Sequence, residues 1–282
     1  MKQAYQLITV GKVLSMEAVN APDSLTNRFQ AYGDVAFNFF KNTSDVLLST
    51  FKVEEEVSLN LISLGSNLAK LRGVRYVDIK DVAVYVPSGM SCKYPELLEV
   101  LERAVRYNND IIETTLEPLI KWLSAGLNQP QSLSAIFGST GTYNFAFDNA
   151  KHEDLVNMLK NCFDTNSTHD QLPVKYVFER LLDIEESVKT MNDLVVEAKT
   201  TLPKTVLSKI EEAKKLLNTL VERHKQDPDK YNLSPRTVTV LTELMGQAAM
   251  RCEFYSVTRY YLMLSYTAIT NTVGNLDVAL NR

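Results

Sequence analysis

The chain has 282 residues, of which 45% are hydrophobic and 23% are charged, and its formal net charge at pH 7 is −4. This is the composition of a folded globular chain that can bury a sizeable core, and it excludes wholesale disorder. The slight excess of acidic residues offers no broad cationic surface, so a nucleic acid is not expected as a specific ligand.

The cysteines and the hydrophobic runs restrict the location of the protein. Cys92, Cys162 and Cys252 are odd in number and far apart in the sequence, which favours free thiols in a reducing compartment over a disulfide framework. The sequence has no run of 18 or more apolar residues, so no membrane span is predicted. The apolar stretch near the N-terminus is short and interrupted by Gln6 and Gly11, unlike a secretory signal.

The N-terminal half is predicted to be α-rich but irregular. Residues 1–22 are weakly patterned, and we treat them as a separate segment and a candidate propeptide. The next region, residues 23–163, contains apolar residues at helical spacing from Leu25 to Phe40 and from Val57 to Leu71. The second of these helices is expected to stop at Gly73.

A β pattern follows this stop. Tyr76–Ile79 and Val82–Val86 are rich in β-branched and aromatic residues, and the turn sequence Pro87-Ser88-Gly89 comes after them. We therefore predict a small β-hairpin element. Two short strands are not stable alone in water, so they must pack on helices or pair with another strand, for which Gln6–Val10 is a candidate.

A long helix is predicted from Tyr94 to Leu123, with a kink at Pro118 because proline removes a backbone hydrogen bond inside a helix. Residues 126–149 are the least regular part of the chain, and a short helix is expected around Asp154–Cys162. The polar run Asp164–Asp170 is the candidate linker to the last region.

Residues 171–282 are predicted to form a helical bundle. Their apolar residues keep a 3-then-4 spacing in three consecutive segments, as expected of antiparallel helices with short connections. The segments are Leu172–Leu202, Pro203–His224 and Ser234–Leu280. The sequence as a whole predicts a mainly α fold with long heptad-patterned C-terminal helices and the small β-hairpin element.

The last of these segments has the clearest pattern. Ser234 and Pro235 are residue types that favour the start of a helix. Two heptad rows follow, with Arg259 as their one charged residue, and a continuous helix would be roughly 70 Å long. Gly246 and Gly274 are its predicted weak points. The rows are Leu241, Ala248, Tyr255, Leu262, Ile269 and Leu276, and Met245, Cys252, Arg259, Tyr266, Val273 and Leu280.

The sequence predicts no catalytic, cofactor or metal site. The loop Gly138–Thr142 lacks the lysine of a phosphate-binding P-loop, and the chain has no G-x-S-x-G nucleophile motif. His152, His169 and His224 share no metal-ligand spacing with one another or with the cysteines. Acidic runs such as Asp183–Glu186 are interpreted as the solvated outer faces of helices. We therefore expect a protein that is not an enzyme.

An aromatic and arginine cluster in the last segment has two interpretations. Its members are Arg251, Tyr255, Arg259, Tyr260 and Tyr261. Such side chains suit protein–protein contacts, so the cluster is a candidate interface. Core packing between helices, with the arginines paired, is the alternative and is the more common use of such a stripe.

Several stretches of the chain share a pattern with a known family. Ser15-Met16-Glu17-Ala18, followed by Ser24–Phe29, resembles the start of internal head or virion structural proteins of large tailed bacteriophages. In that family a small-x-Glu site for the head-maturation protease often follows a short N-terminal segment. Glu17 is the one glutamate here with Ala, Ser or Gly two residues before it. Val84–Gly89, Leu119–Leu133 and the tyrosine-rich last helix are also similar to that family.

The resemblance implies a non-enzymatic structural protein, assembled through helix-face contacts and located inside the capsid or in the host cytoplasm. Its implied partners are other virion or phage proteins, or copies of itself, with no small-molecule substrate, and a phage protease would release residues 1–17. Two alternatives stay open. One is a phage-encoded helical interaction protein that acts on a host or phage machine in the cytoplasm. The other is an enzyme with a site around Gly138–Asn144.

Overall fold

The computed structural model describes residues 74–128, 148–164, 166–198, 203–227, 230–231 and 235–280. These ranges contain eight α-helices, one π-helical turn and one two-stranded antiparallel sheet, which confirms the mainly α fold. The elements are α1 (Tyr76–Ile79), β1 (Ala83–Tyr85), α2 (Tyr94–Asn108), the π turn (Ile112–Leu116), α3 (Glu117–Asn128), α4 (Asn149–Asn161), β2 (Gln171–Pro173), α5 (Val174–Val177), α6 (Leu181–Ala198), α7 (Pro203–Gln226) and α8 (Pro235–Leu280). Within these ranges, none of the helices combines the length and hydrophobicity needed to cross a membrane.

The described residues belong to two compact units, each assembled from separate segments of the chain. The first unit contains the π turn, α3, α7 and the part of α8 up to residue 256. The second contains α1, β1, α2, α4, β2, α5, α6 and α8 from residue 257. The regions 23–163 and 171–282, taken from the sequence, each contribute residues to both units. Neither region therefore corresponds to one compact unit. The division of the chain into residues 23–163 and 171–282 stays a prediction.

The small sheet is not the predicted hairpin. Tyr76–Ile79 is helical, and β1 pairs instead with β2, about 90 residues later in the chain, with Val84 opposite Leu172. Helix geometry places Tyr76 and Ile79 three residues apart on one side. There Ile79 is fully buried and the Tyr76 hydroxyl donates a hydrogen bond to the carbonyl of Phe178. The candidate strand at residues 6–10 lies outside the described residues.

The described residues of the predicted linker, 164 and 166–170, hydrogen-bond to residues that follow β1 and belong to the second unit. The N–H of Val86 donates to the carbonyl of Asp170 at 2.9 Å, and the N–H of Asp164 donates to the carbonyl of Gly89 at 2.8 Å. Gly89 also donates to the carbonyl of His169, and it has a φ of 79°, a conformation that suits glycine because it has no Cβ. These bonds extend the pairing of β1 with β2, so the linker interpretation is wrong.

The long helix predicted from Tyr94 to Leu123 is divided by a turn at residues 109–110, and the kink at Pro118 stays a prediction. Helix α2 ends at Asn108, and the π turn Ile112–Leu116 precedes α3, which places Pro118 in the first turn of α3. Proline has no N–H for the carbonyl of Thr114, and its ring crowds that carbonyl. A π turn widens the backbone at this point, and a proline in the first helical turn costs no hydrogen bond.

Helix α8 runs without a break from Pro235 to Leu280, through both Gly246 and Gly274. The members of the two heptad rows whose side chains the structure describes are all at most 4% exposed. They are Ala248, Cys252, Tyr255, Arg259, Leu262, Tyr266, Ile269, Val273 and Leu276. Burial is not confined to these rows, because every residue from 251 to 259 is buried. Over these turns the helix is enclosed on all sides.

The side chain of one acidic residue caps the N-terminus of α6. Asp183, only 7% exposed, accepts hydrogen bonds from the N–H groups of Glu179 and Arg180 at 3.0 and 2.8 Å and from the Arg180 guanidinium. This is the reciprocal half of a capping box, in which the third helical residue reaches back to the cap. The interpretation of residues 183–186 as a solvated outer face is therefore wrong for Asp183. Burial would raise the pKa of this carboxyl, but the hydrogen bonds from Arg180 and Glu179 outweigh it and hold the pKa below its usual value.

Leu262→Asp should destabilise the second unit, because Leu262 is buried in α8 and the variant places an unpaired charge there. We expect a loss of about 3 kcal/mol or more in the free energy of unfolding, measured by urea denaturation. The matched control is Val196→Asp, which makes the same change at a helical residue that is 63% exposed. Equal urea midpoints for the two variants would contradict the packing of α8.

Asp183→Asn should lower stability by about 1 kcal/mol near neutral pH, because it removes the charge that caps α6. A carboxyl whose pKa is lower in the folded state than in the unfolded state stabilises the protein at pH values above the unfolded-state pKa of 3.8. This contribution is lost as the pH falls through the folded-state pKa. The difference between wild type and variant in urea unfolding should therefore be constant above about pH 5 and shrink as the pH falls below about 4. Glu186→Gln, at an exposed residue of the same helix, should show no such difference.

Candidate functional site

Two of the sites considered from the sequence fall outside the part of the chain that the structure describes. The candidate processing residues Ser15, Met16, Glu17 and Ala18 lie there, and so does the loop Gly138–Thr142. Protease processing therefore stays a prediction. The structure does place the candidate interface residues of α8 and the histidines and cysteines between residues 92 and 252.

The candidate interface on α8 is mostly enclosed by the protein itself. Arg251, Tyr255, Arg259 and Tyr261 are buried, and Tyr260 is half-buried. The four buried side chains cannot meet another protein unless the fold opens, whereas part of Tyr260 is exposed. Their burial is what core packing requires, and the contacts of each arginine show how its charge is accommodated.

Arg251 lies beside the π turn in the first unit. Its guanidinium pairs with the carboxylate of Asp110 and lies 3.4 Å from the hydroxyl oxygen of Thr114. Thr114 is itself fixed, because its N–H and its hydroxyl both donate to the carbonyl of Asp110, at 2.9 and 2.8 Å. The Arg251 side chain is only 3% exposed, whereas that of Asp110 is 55% exposed. The pair therefore connects a buried cation to an anion that stays in contact with water.

Arg259 plays a comparable part in the second unit. Its guanidinium donates to the carbonyl of Ala198, the last residue of α6. The last carbonyls of a helix have no partner within the helix, and the helix dipole places partial negative charge there. A buried arginine at this point satisfies a carbonyl and offsets that partial charge. The arginine that breaks the heptad row thus acts as a cap for a neighbouring helix.

The tyrosines of the cluster divide between the two units. Tyr255 belongs to the apolar core of the first unit, together with residues of α3 and α7 such as Leu123 and Leu217. In the second unit the ring of Tyr261 stacks on Phe163, with centroids 4.3 Å apart. Tyr260 meets the edge of Tyr261 with its centroid 5.4 Å away. These are the packing geometries that aromatic rings adopt in protein cores.

The three histidines lie in separate local hydrogen-bonding arrangements. His224 Nδ1 donates to the carbonyl of Tyr231 at 2.8 Å, and His169 Nε2 donates to the carbonyl of Met90 at 2.9 Å. His152 is buried, with Nδ1 3.5 Å from the hydroxyl oxygen of Tyr107. Among the residues that the structure describes, no group of three or more His, Cys, Asp or Glu side chains could hold a metal ion.

Cys92 and Cys162 form a contact that the sequence analysis missed. The two thiols are close enough for each to shift the pKa of the other, although 69 residues separate them in the chain. Cys92 is half-buried and Cys162 is buried. Their positions in the sequence carry no spacing signal, since the contact depends on the pairing of β1 with β2 and on the bridge between Met90 and Phe163. The third cysteine, Cys252, is buried in α8, where burial raises the pKa of its thiol to about 12.

Comparisons with protein-family models, with curated proteins and with solved structures found no match for this chain. Function is therefore argued from the contacts of the described residues and from the resemblance noted in the sequence. In those contacts Arg259 and His224 bind backbone carbonyls and Arg251 binds a carboxylate, which is how buried side chains fix helices in place.

The Arg251–Asp110 pair can be tested by removing each partner in turn. Asp110→Asn leaves a buried guanidinium without its carboxylate, whereas Arg251→Met leaves a carboxylate that water already solvates. We therefore expect Asp110→Asn to lower the free energy of unfolding by about 1 kcal/mol more than Arg251→Met.

Urea denaturation measures both variants of this pair. Glu113→Gln is the matched control, because it removes an exposed acidic charge from the same π turn and should change stability little. A larger loss for Arg251→Met would mean that packing of the arginine stem, and not its charge pair, dominates at this position.

Proposed function

We propose that this protein is a non-enzymatic structural protein of a tailed bacteriophage, an internal head or head-associated component. It assembles with other virion proteins, or with copies of itself, through the outer faces of its helices. The proposal rests on the resemblance of Ser15–Ala18, Ser24–Phe29 and Val84–Gly89 to that family. The contacts of the described residues are a second and separate argument for the proposal.

The observation that carries the proposal is that buried polar groups of α8 are bonded to other elements of the fold. Arg259 donates to the carbonyl of Ala198, and Arg251 pairs with Asp110. The carbonyl of Ser265 in the same helix accepts a hydrogen bond from the hydroxyl of Tyr94. Each of these groups holds one element of the fold against α8. Side chains committed to such contacts stiffen a scaffold, which is the property that an assembly component needs.

The outer faces carry apolar side chains that can take part in assembly. In the second unit, Val77 on α1, Tyr176 on α5 and Val196 on α6 are large apolar residues with exposed side chains. The N–H of Lys175 donates to the carbonyl of Lys80 at 2.9 Å, which fixes α5 next to the end of α1. Exposed aromatic and aliphatic residues on ordered elements are the usual anchors of protein–protein contacts.

The decisive experiment is mass spectrometry of gradient-purified particles of the encoding phage, before and after protease treatment of the intact particles. An internal head protein should be present in many copies, survive the external protease and begin at Ala18. Protection from protease separates an internal component from protein that adheres to the outside of the capsid.

Glu17→Gln is the matched variant, because it removes the acidic residue of the small-x-Glu site and changes nothing else. We expect particles of this variant to contain protein that retains residues 1–17. A wild-type chain that begins at Met1 in the particle would remove the processing step and keep the structural role. Absence of the protein from purified particles would contradict the proposal and favour a helical interaction protein of the host cytoplasm.

A further inference from the structure

Cys92 and Cys162 are held next to each other by the backbone around them. The N–H of Ser91 donates to the carbonyl of Cys162 at 2.9 Å, and Met90 and Phe163 form an antiparallel bridge. The bridge aligns Ser91 with Cys162, so Cys92 lies one residue beyond the position opposite Cys162, and disulfides join residues whose Cα atoms are about 4.4–6.8 Å apart. The two thiols are also close enough for each to shift the pKa of the other. A covalent bond between them therefore requires little backbone movement.

We propose that Cys92 and Cys162 are a redox-active dithiol, which a hydroperoxide converts into an intramolecular disulfide. The inference rests on the contact between the two thiols and on the hydrogen bonds that hold their backbones together. It does not depend on the proposed structural role, because the same chemistry is available to the isolated chain.

The contact between the two thiols gives them different roles. Cys162 accepts a hydrogen bond from the Cys92 thiol, which lowers the pKa of Cys162, whereas donating this bond and burial raise the pKa of Cys92. The thiolate is the reactive form of cysteine, so Cys162 reacts first. Because little of the Cys162 side chain is exposed, a small oxidant such as hydrogen peroxide can reach it more easily than a bulky disulfide.

The reaction balances with hydrogen peroxide as the oxidant. The Cys162 thiolate attacks one peroxide oxygen, the O–O bond breaks, and Cys162 becomes a sulfenic acid while the other oxygen leaves as water after taking a proton. The sulfur of Cys92 then attacks the sulfenic sulfur, an S–S bond forms, and the second oxygen leaves as water with the proton from Cys92. Two thiols are oxidised, and one peroxide is reduced to two water molecules.

The disulfide would connect the segment that precedes α2 to the end of α4. It closes a loop of about 70 residues, and cross-linking a long loop restricts the unfolded chain more than the folded one. The oxidised protein should therefore melt at a higher temperature than the reduced protein, by roughly 5–15 °C. Reduction with a dithiol reagent should reverse the shift.

The test is peptide mapping of the folded full-length chain after brief exposure to stoichiometric hydrogen peroxide and alkylation of the remaining thiols. Trypsin releases Cys92 in residues 81–93 and Cys162 in residues 161–175. We expect these two peptides to be joined without reductant and to lose the mass of two hydrogen atoms. Cys252 is the internal control, because its buried, high-pKa thiol should stay reduced.

Three variants complete the experiment. Cys92→Ser and Cys162→Ser should each abolish both the joined peptides and the rise in melting temperature, whereas Cys252→Ser should retain both. Oxidation of folded wild type to sulfinic acid, or a link that involves Cys252, would overturn the proposal. So would a link between the two peptides that forms only when the chain is oxidised in denaturant.

Discussion

The enclosure of α8 is the constraint on which the rest of the described structure depends. Because every residue from 251 to 259 is buried, polar side chains in this stretch of α8 cannot turn toward water. A buried polar group without a partner costs about 1–3 kcal/mol, and a buried charge costs more. Arg251 and Arg259 therefore need partners on other elements, and they bind Asp110 and the carbonyl of Ala198. Because these buried arginines need partners, Asp110 beside the π turn must lie next to Arg251 in the first unit, and the end of α6 must lie next to Arg259 in the second.

The same helix covers one edge of the small sheet. The hydroxyl of Thr272 donates to the carbonyl of Tyr85 at 2.9 Å, and the amide of Asn275 donates to the carbonyl of Ala83 at 2.8 Å. An open strand edge would leave these carbonyls available to another chain. With this edge occupied, β1 pairs with β2 on its other side, which brings residues 161–164 against residues 89–92. The same pairing brings the two cysteines close together.

Periodicity predicted the part of this arrangement that repeats along the chain. The heptad rows of the last segment identified positions such as Leu262 and Ile269, which are buried. A heptad repeat indicates which residues lie on one face of a helix. It therefore could not show that residues 251–259 of α8 are buried on every face. The pairing of β1 with β2 involves strands of three residues each, far apart in sequence, and has no local signal. Asp183 was misinterpreted because a helix cap and a solvated acidic face have the same composition.

The same ambiguity explains the arginine and tyrosine cluster of α8. Protein interfaces and buried helix contacts both favour side chains that combine apolar area with directed hydrogen bonds, so composition cannot distinguish them. Burial distinguishes them here, because the guanidinium of Arg259 binds a helix end and the ring of Tyr261 stacks on Phe163 within one unit. If the protein has the proposed structural role, its assembly contacts would come from side chains that the fold leaves outside, such as Tyr176 and Val196. In a structural role of the kind proposed, α8 would supply rigidity and the outer helices would supply the contacts.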